Sequence, residues 1–223
     1  MKQRILFTLL GILFFNLAFG QTGITQESKL NKKLVAILDS LYQEDQKYRE
    51  EAEVLEKKYT LDSKEVQDLL RTIVAKDSIN LETVKKILDE YGWLGADVVG
   101  KHGNLTLFLV IQHSDHKTQL TYLPLMREAV KKGNAKAMDL ALLEDRVAIG
   151  EGQKQIYGSQ FEMDYQIKHY VLSPMIDPDN IDKRRTEVGL EPIAEYLKYW
   201  DLTWDVEKFK KRMEEYDAKT KNK

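Results

Sequence analysis

The unbroken run Leu107-Phe108-Leu109-Val110-Ile111, with Leu105 before it and Gln112-His113-Ser114-Asp115-His116 after it, constrains this chain more than any other feature. Consecutive large apolar residues leave no polar face, so the element they form is buried on all sides and belongs at the centre of a core. A short apolar run suits a buried strand as well as a helix. Asn104 as an N-cap and the helical spacing on both sides favour a helix. Its polar end then delivers Gln112, His113, Asp115 and His116 to one place, and any site is expected there.

The flanking segments read as helices. Leu30, Leu34, Ile37, Leu41, Tyr48, Ala52, Leu55 and Tyr59 recur at steps of three and four, with one gap that Asp45 fills. An acid in an apolar seam must be paired, hydrogen-bonded or useful, because burying a lone carboxylate is costly. Asp45 is therefore expected to face the core within reach of an arginine or another polar group; Arg49, one turn on, offers a structural pair. Ser63 caps a second helix to about Lys76, and Asn80 a third from Leu81 to Tyr91, closed by Gly92. Gly95, Gly100 and Gly103 bend the linker into the central element, with Trp93 packed on the core. Beyond it, Asp115 caps a helix to about Lys132 carrying Leu120, Leu123, Leu125, Met126 and Val130, and another helix runs from about Ala137 to Ile149. At 100 degrees per residue that helix is apolar nearly all round, so Asp145 and Arg146 are at least partly buried. Gln155 to Phe161 and Tyr165 to Leu172 read as a β-hairpin, with Gly158 marking a close approach to the backbone. Two short helices flank Gly189 and Pro192, and a last one starts near Asp205. The fold class is mainly α (α+β): a single multi-helix domain over residues 28–217 around a buried central helix, with a small β-hairpin.

Residues 1–20 carry Lys2 and Arg4, an apolar run from Ile5 to Phe19, and small residues at Ala18 and Gly20, the pattern of a secretory signal peptide. The apolar run is short for a membrane span. Cleavage leaves a polar tether, residues 21–27, ahead of the domain, and residues 218–223 form a frayed basic tail. Without Lys2 and Arg4 the 34 basic residues become 32 against 36 acidic, a net charge near −4. That balance argues against nucleic acid as a partner. No membrane span is expected after cleavage, and the protein is placed in the periplasm or outside the cell. With no cysteine the core must hold without disulfides, and thiol nucleophiles and cysteine metal sites are excluded.

Polar residues in seams that should be apolar suggest a buried network or a site. His113, Asp145, Arg146 and Tyr157 are the candidate catalytic residues, and Asp45, Gln46, Arg49, Gln112, Gln155 and Gln160 the candidate ligand-binding ones. His113 acts as general acid or base, Asp145 orients it, and Arg146 or Arg49 holds an anionic or carbonyl oxygen. This requires His113, Asp145 and Tyr157 to meet where the central helix, the Asp145 helix and the hairpin come together. His113 and His116 could face one metal ion if the helix continues through both, but no zincin motif accompanies them, and no metal or cofactor is assigned. Nor is Ser159 on a nucleophile elbow.

The segments L-A-L-L-E-D-R-V (Leu140 to Val147), G-x-x-Q-x-Y-G-S-Q (Gly152 to Gln160), Q-H-S-D (Gln112 to Asp115), Asp45-Gln46 with Arg49, and R-R-x-x-V-G-L (Arg184 to Leu190) together resemble a bacterial family catalogued as domain of unknown function 6624. The resemblance covers nearly the whole chain after the leader. It implies that His113 and Asp115 belong to the family pattern and that His116 does not; it implies no activity. Two readings remain open: an acid/base hydrolase of the cell envelope, and a non-catalytic module binding a small polar ligand or an envelope protein. Mass analysis of the N-terminus of the exported protein checks the leader. A chain starting at Gln21 is expected, and intact Met1 in a membrane fraction contradicts it.

Overall fold

Asn31 opens the first helix of the computed structural model: its Oδ1 accepts the Leu34 amide at 3.2 Å, and α1 runs Lys32–Glu56. The structure describes residues 29–56, 58–60, 62–164 and 169–220. The leader, the tether and the last three residues of the tail fall outside the described residues. The fold is mainly α with one small β-hairpin, and the chain divides at Ser114/Asp115 into two compact units.

In the N-terminal unit Ser63 does cap α2, accepting the Val66 amide at 3.3 Å, but the helix continues unbroken over Lys64–Tyr91. The expected division at Asn80 is absent. Asn80 is buried within a continuous seam of Val66, Leu69, Ile73, Asn80, Val84, Ile87 and Leu88, so its side chain faces the bundle rather than capping a new helix. Asp77 lies in the same three-four spacing, one turn before Asn80.

The central element, α3, runs Ala96–Gln112. Leu107 to Ile111 are all buried, as their pattern demanded. Its start differs from the sequence reading. Gly95, not Asn104, is the N-cap, and Gly100 at φ 75° and ψ 167° kinks the helix within its first turns. Asn104 sits inside the helix and donates from Nδ2 to the Leu94 carbonyl at 2.8 Å, anchoring the turn that leads in. Trp93 is buried, as expected.

Helices α1 and α3 run parallel. Contacts between them advance together along both chains, from the Asn31 amide on the Val98 carbonyl (2.8 Å), through Thr106 Oγ1 on the Leu38 carbonyl (3.2 Å), to His113 against Asp45 (3.0 Å). Gly103 eases this approach: a Cβ there would lie 3.1 Å from Val99 Cβ and 3.2 Å from Leu38 Cδ1, so a side chain at this position would push its neighbours back by a few tenths of an ångström. Helix α2 packs on α1, the two being joined by the Arg49–Asp77 contact at 2.7 Å. The outcome for the site is that α1, α2 and α3 each bring one segment to the C-terminal end of α3.

The C-terminal unit begins with Asp115, which caps α4 (His116–Lys131) as expected: Oδ1 accepts the Thr118 amide at 2.9 Å. The buried face of α4 is Gln119, Tyr122, Leu123, Met126 and Ala129. Leu120, expected inside, is 39% exposed, because the inward stripe runs one position earlier. Helix α5 spans Ala137–Gly150, with Asp145 fully buried and Arg146 half-buried. The hairpin is displaced: β1 is Phe161–Asp164 and β2 is His169–Leu172, paired antiparallel with Phe161 opposite Leu172. Residues 155–160 form a loop instead of the first strand, because Asp145 takes the amides of Ile156, Tyr157 and Ser159. A 3-10 turn at Pro178–Asn180 leads to α6 (Ile181–Glu187), α7 (Ile193–Lys198) and α8 (Val206–Thr220). Phe161, Met175, Ile181, Ile193, Leu197 and Phe209 form the core these elements share. Among the described residues no helix is long and apolar enough to cross a membrane.

Candidate functional site

Three helices of the N-terminal unit each contribute to one polar cluster. The Asp45 carboxylate, in the α1 seam and 1% exposed, has Oδ1 at 3.0 Å from His113 Nδ1. Gln46 Nε2 donates to Oδ2 at 2.5 Å, and Arg49 approaches both oxygens, Nε at 3.4 Å from Oδ2 and Nη2 at 3.3 Å from Oδ1. Arg49 Nη2 also donates to Asp77 Oδ1 on α2, at 2.7 Å. The expectation that Asp45 faces the core within reach of an arginine or another polar group is therefore met, by Arg49, His113 and Gln46 together.

His113 occupies the C-cap of α3, with its side chain 7% exposed. The site at a helix C-terminus favours a positive ring, and so do the two aspartates. Burial dominates, however, and pulls the His113 pKa below its ordinary value, with Arg49 adding to the fall. Asp45 shows the reverse balance. Burial raises its pKa, but His113 and Arg49 together outweigh that and hold the carboxyl well below the usual carboxylate range. Burial moves the Asp77 carboxyl upward against Arg49 and His113. The depressed Asp45 pKa contributes stability that is fully present above its unfolded pKa and is lost as pH falls from there toward the lowered folded value. The depressed His113 pKa acts in the same direction, since protonation then favours the unfolded chain.

Oxygen and nitrogen donors of Asp45, Asp77 and His113 lie within 4.8 Å of one another, a donor set suited in kind to a divalent ion. Arg49 already stands between the two carboxylates, so the cluster carries its own cation. His113 and His116 do not share a helical face, because α3 ends at Gln112 and the extended Asp115 starts α4 anew. Gln112 is fully buried in the last turn of α3.

The C-terminal unit assembles Gln155, Tyr157 and Gln160 in the loop around Asp145. Its Oδ1 accepts the amides of Ile156 (2.6 Å) and Tyr157 (2.9 Å), and its Oδ2 accepts the amide and hydroxyl of Ser159, each at 2.9 Å. A ring of donors of this kind is how a buried carboxylate is kept without a cationic side chain. Burial still raises its pKa, with the Tyr157, Ser159 and Ile156 amides opposing. Gln155 stitches the same loop. Its Nε2 donates to the carbonyls of Gln160 (3.0 Å) and Ser173 (2.9 Å), and its Oε1 accepts the Gln160 amide at 2.8 Å. Gln160 Nε2 donates in turn to Ser159 Oγ at 2.9 Å. Gly158 adopts φ +68°, and a Cβ there would lie 3.1 Å from Met175 Sδ and 3.2 Å from Ile193 Cδ1. The close approach read from the sequence is real, and what approaches is the core.

Arg185, buried and stacked 4.8 Å from the Tyr196 ring, donates to the Tyr157 carbonyl at 2.7 Å. Arg184 donates from Nε to the Ile156 carbonyl at 2.9 Å. The Tyr157 phenol is half-buried, and burial, then Glu144 and Asp145, push its pKa up. Asp145 and Tyr157 are thus brought together through the Tyr157 amide, whereas the acid that contacts His113 is Asp45, the role assigned to Asp145 from the sequence. Asp77, Ser159 and Arg185 complete these clusters, although none was among the candidate site residues. Asp77 was legible only as part of the unbroken α2 spacing.

A family model described as "Family of unknown function (DUF6624)" matches residues 33–208. No curated protein and no solved structure matches the chain.

The Asp145 ring of donors gives a stability prediction. Asp145→Ala leaves three amides and a hydroxyl without their acceptor, each worth about 1–3 kcal/mol when buried. Urea unfolding should show a loss of at least about 3 kcal/mol, and a loss below about 1 kcal/mol contradicts this description of the loop.

Proposed function

Because the chain belongs to DUF6624, whose function is unknown, the chemistry of its side chains must carry the assignment, and we propose that it is an exported acid/base enzyme, a hydrolase of the cell envelope. The observation that carries the proposal is the 3.0 Å contact between His113 Nδ1 and Asp45 Oδ1. A carboxylate on Nδ1 fixes the neutral ring in the tautomer with its proton there, which leaves Nε2 as the basic nitrogen. In this reading His113 Nε2 takes a proton from water or a substrate hydroxyl and returns it to the leaving group. Asp45 orients the ring and stabilises the imidazolium formed in between. The lowered His113 pKa supports a base that is neutral and ready near pH 7. Gln46 and Gln112, buried next to Asp45 and His113 in sequence, supply amide groups of the kind that bind a polar substrate. Export is read from residues 1–20 alone.

The burial of the pair favours a second reading, a non-catalytic module in which the same network fixes three helices and a small polar ligand or envelope protein binds. Purified mature protein assayed against ester, amide and cell-wall glycan or peptide substrates separates the two. The enzyme reading expects turnover that His113→Gln lowers at least about 100-fold while the circular dichroism spectrum is kept. Turnover unchanged in that variant contradicts it, and binding without turnover by the wild type supports the module.

A further inference from the structure

We propose that Asp77 is a positioning residue of this site, holding Arg49 on the α2 side of the cluster so that Asp45 stays turned toward His113. The inference rests on the reading of His113 as the working base, and it assigns a role to a residue outside the expected site.

The distances argue for it. Arg49 Nη2 is 2.7 Å from Asp77 Oδ1, within the range of strong charge-assisted bonds. Its contacts to Asp45 are 3.3 and 3.4 Å, beyond the usual N–H···O range. The guanidinium is thus anchored by Asp77 and only leans on Asp45. Arginine beside a single carboxylate closes into a bidentate pair. Were Asp77 absent, Arg49 would be free to close on Asp45 in this way and compete for the oxygen that His113 contacts.

The charge count points the same way. His113 is faced from α1 by Asp45 and Arg49 and from α2 by Asp77. Two carboxylates against one guanidinium leave one negative charge next to the ring, which favours a proton on it. Removing Asp77 leaves the remaining pair neutral. Glu44 and Lys76, which join the same two helices by a 2.8 Å pair, are 40% and 37% exposed and screened by solvent. Asp77 therefore acts on His113 through Arg49 and through its own charge, both in the direction of a protonatable ring.

The test reads the titration of His113 directly and needs no substrate. In the full-length mature chain the imidazole Cε1–H signals are followed by NMR against pH, with His113 identified by the peak missing in His113→Gln. Asp77→Asn should move the His113 midpoint to lower pH, Asp77→Glu should restore it, and Arg49→Gln should move it to higher pH. A buttress with no electrostatic role would not give shifts of opposite sign. An unchanged midpoint in folded Asp77→Asn, or a downward shift in Arg49→Gln, overturns the proposal. If Asp77→Asn does not fold, the Arg49→Gln arm decides. Because turnover is not measured, failure of the hydrolase reading leaves this result intact and distinguishable.

Discussion

A carboxylate taken out of water must find compensation within a few ångströms, and this fold meets that demand at two places in different ways. Asp45 is compensated by side chains that themselves carry or accept charge: His113 from the end of α3, and Arg49, shared with Asp77 on α2. Asp145 is compensated by backbone amides and a hydroxyl from a single loop. The first arrangement ties three helices to one another and responds to protons. The second shapes a loop through three amides and a hydroxyl. This contrast is why the functional assignment rests on His113 and Asp45, and why the Asp145 loop reads as architecture built to one geometry.

The N-terminal unit also shows how a buried helix sets a site. Five consecutive apolar residues fix α3 inside the bundle, and Gly103 eases the close approach of α1, where Thr106 bonds the Leu38 carbonyl. With α1 and α3 parallel and in close contact, the step from Leu38 to Asp45 on one matches the step from Thr106 to His113 on the other. The histidine then has to meet the aspartate. The pairing follows from backbone register and does not depend on a flexible loop finding its partner.

Much of this was legible in the sequence because burial leaves a periodic trace. The apolar run of α3, the middle of the α1 seam from Leu34 to Ala52 with Asp45 in its gap, the Asp115 cap, the burial of Asp145 and the partial burial of Arg146 all follow from spacing, whereas Leu30 and Tyr59, at the ends of the same stripe, are exposed. Errors arose where a polar residue has two meanings. Asn80 and Asn104 both look like caps, yet each sits inside a helix, and splitting α2 at Asn80 hid Asp77 in an imagined linker. Following the spacing Ile73, Asp77, Asn80, Val84 across that point would have kept the helix whole. The Gln155 to Phe161 stretch has the composition of a strand, but Asp145 takes the amides of Ile156, Tyr157 and Ser159, and that long-range pairing leaves no periodic mark. The choice of Asp45 over Asp145 as the acid on His113 was equally hidden, since both are single acids in apolar helices and only the register of α1 on α3 distinguishes them.

The central claim, that Asp45 and His113 are energetically coupled and not merely adjacent, is tested most directly by a double-mutant cycle on folding stability. Asp45→Asn, His113→Gln and the double variant, unfolded in urea at neutral pH, give the interaction free energy between the two side chains. A coupling of about 1–3 kcal/mol is expected for a hydrogen-bonded pair this deeply buried. Additive losses, with a coupling indistinguishable from zero, would contradict the account.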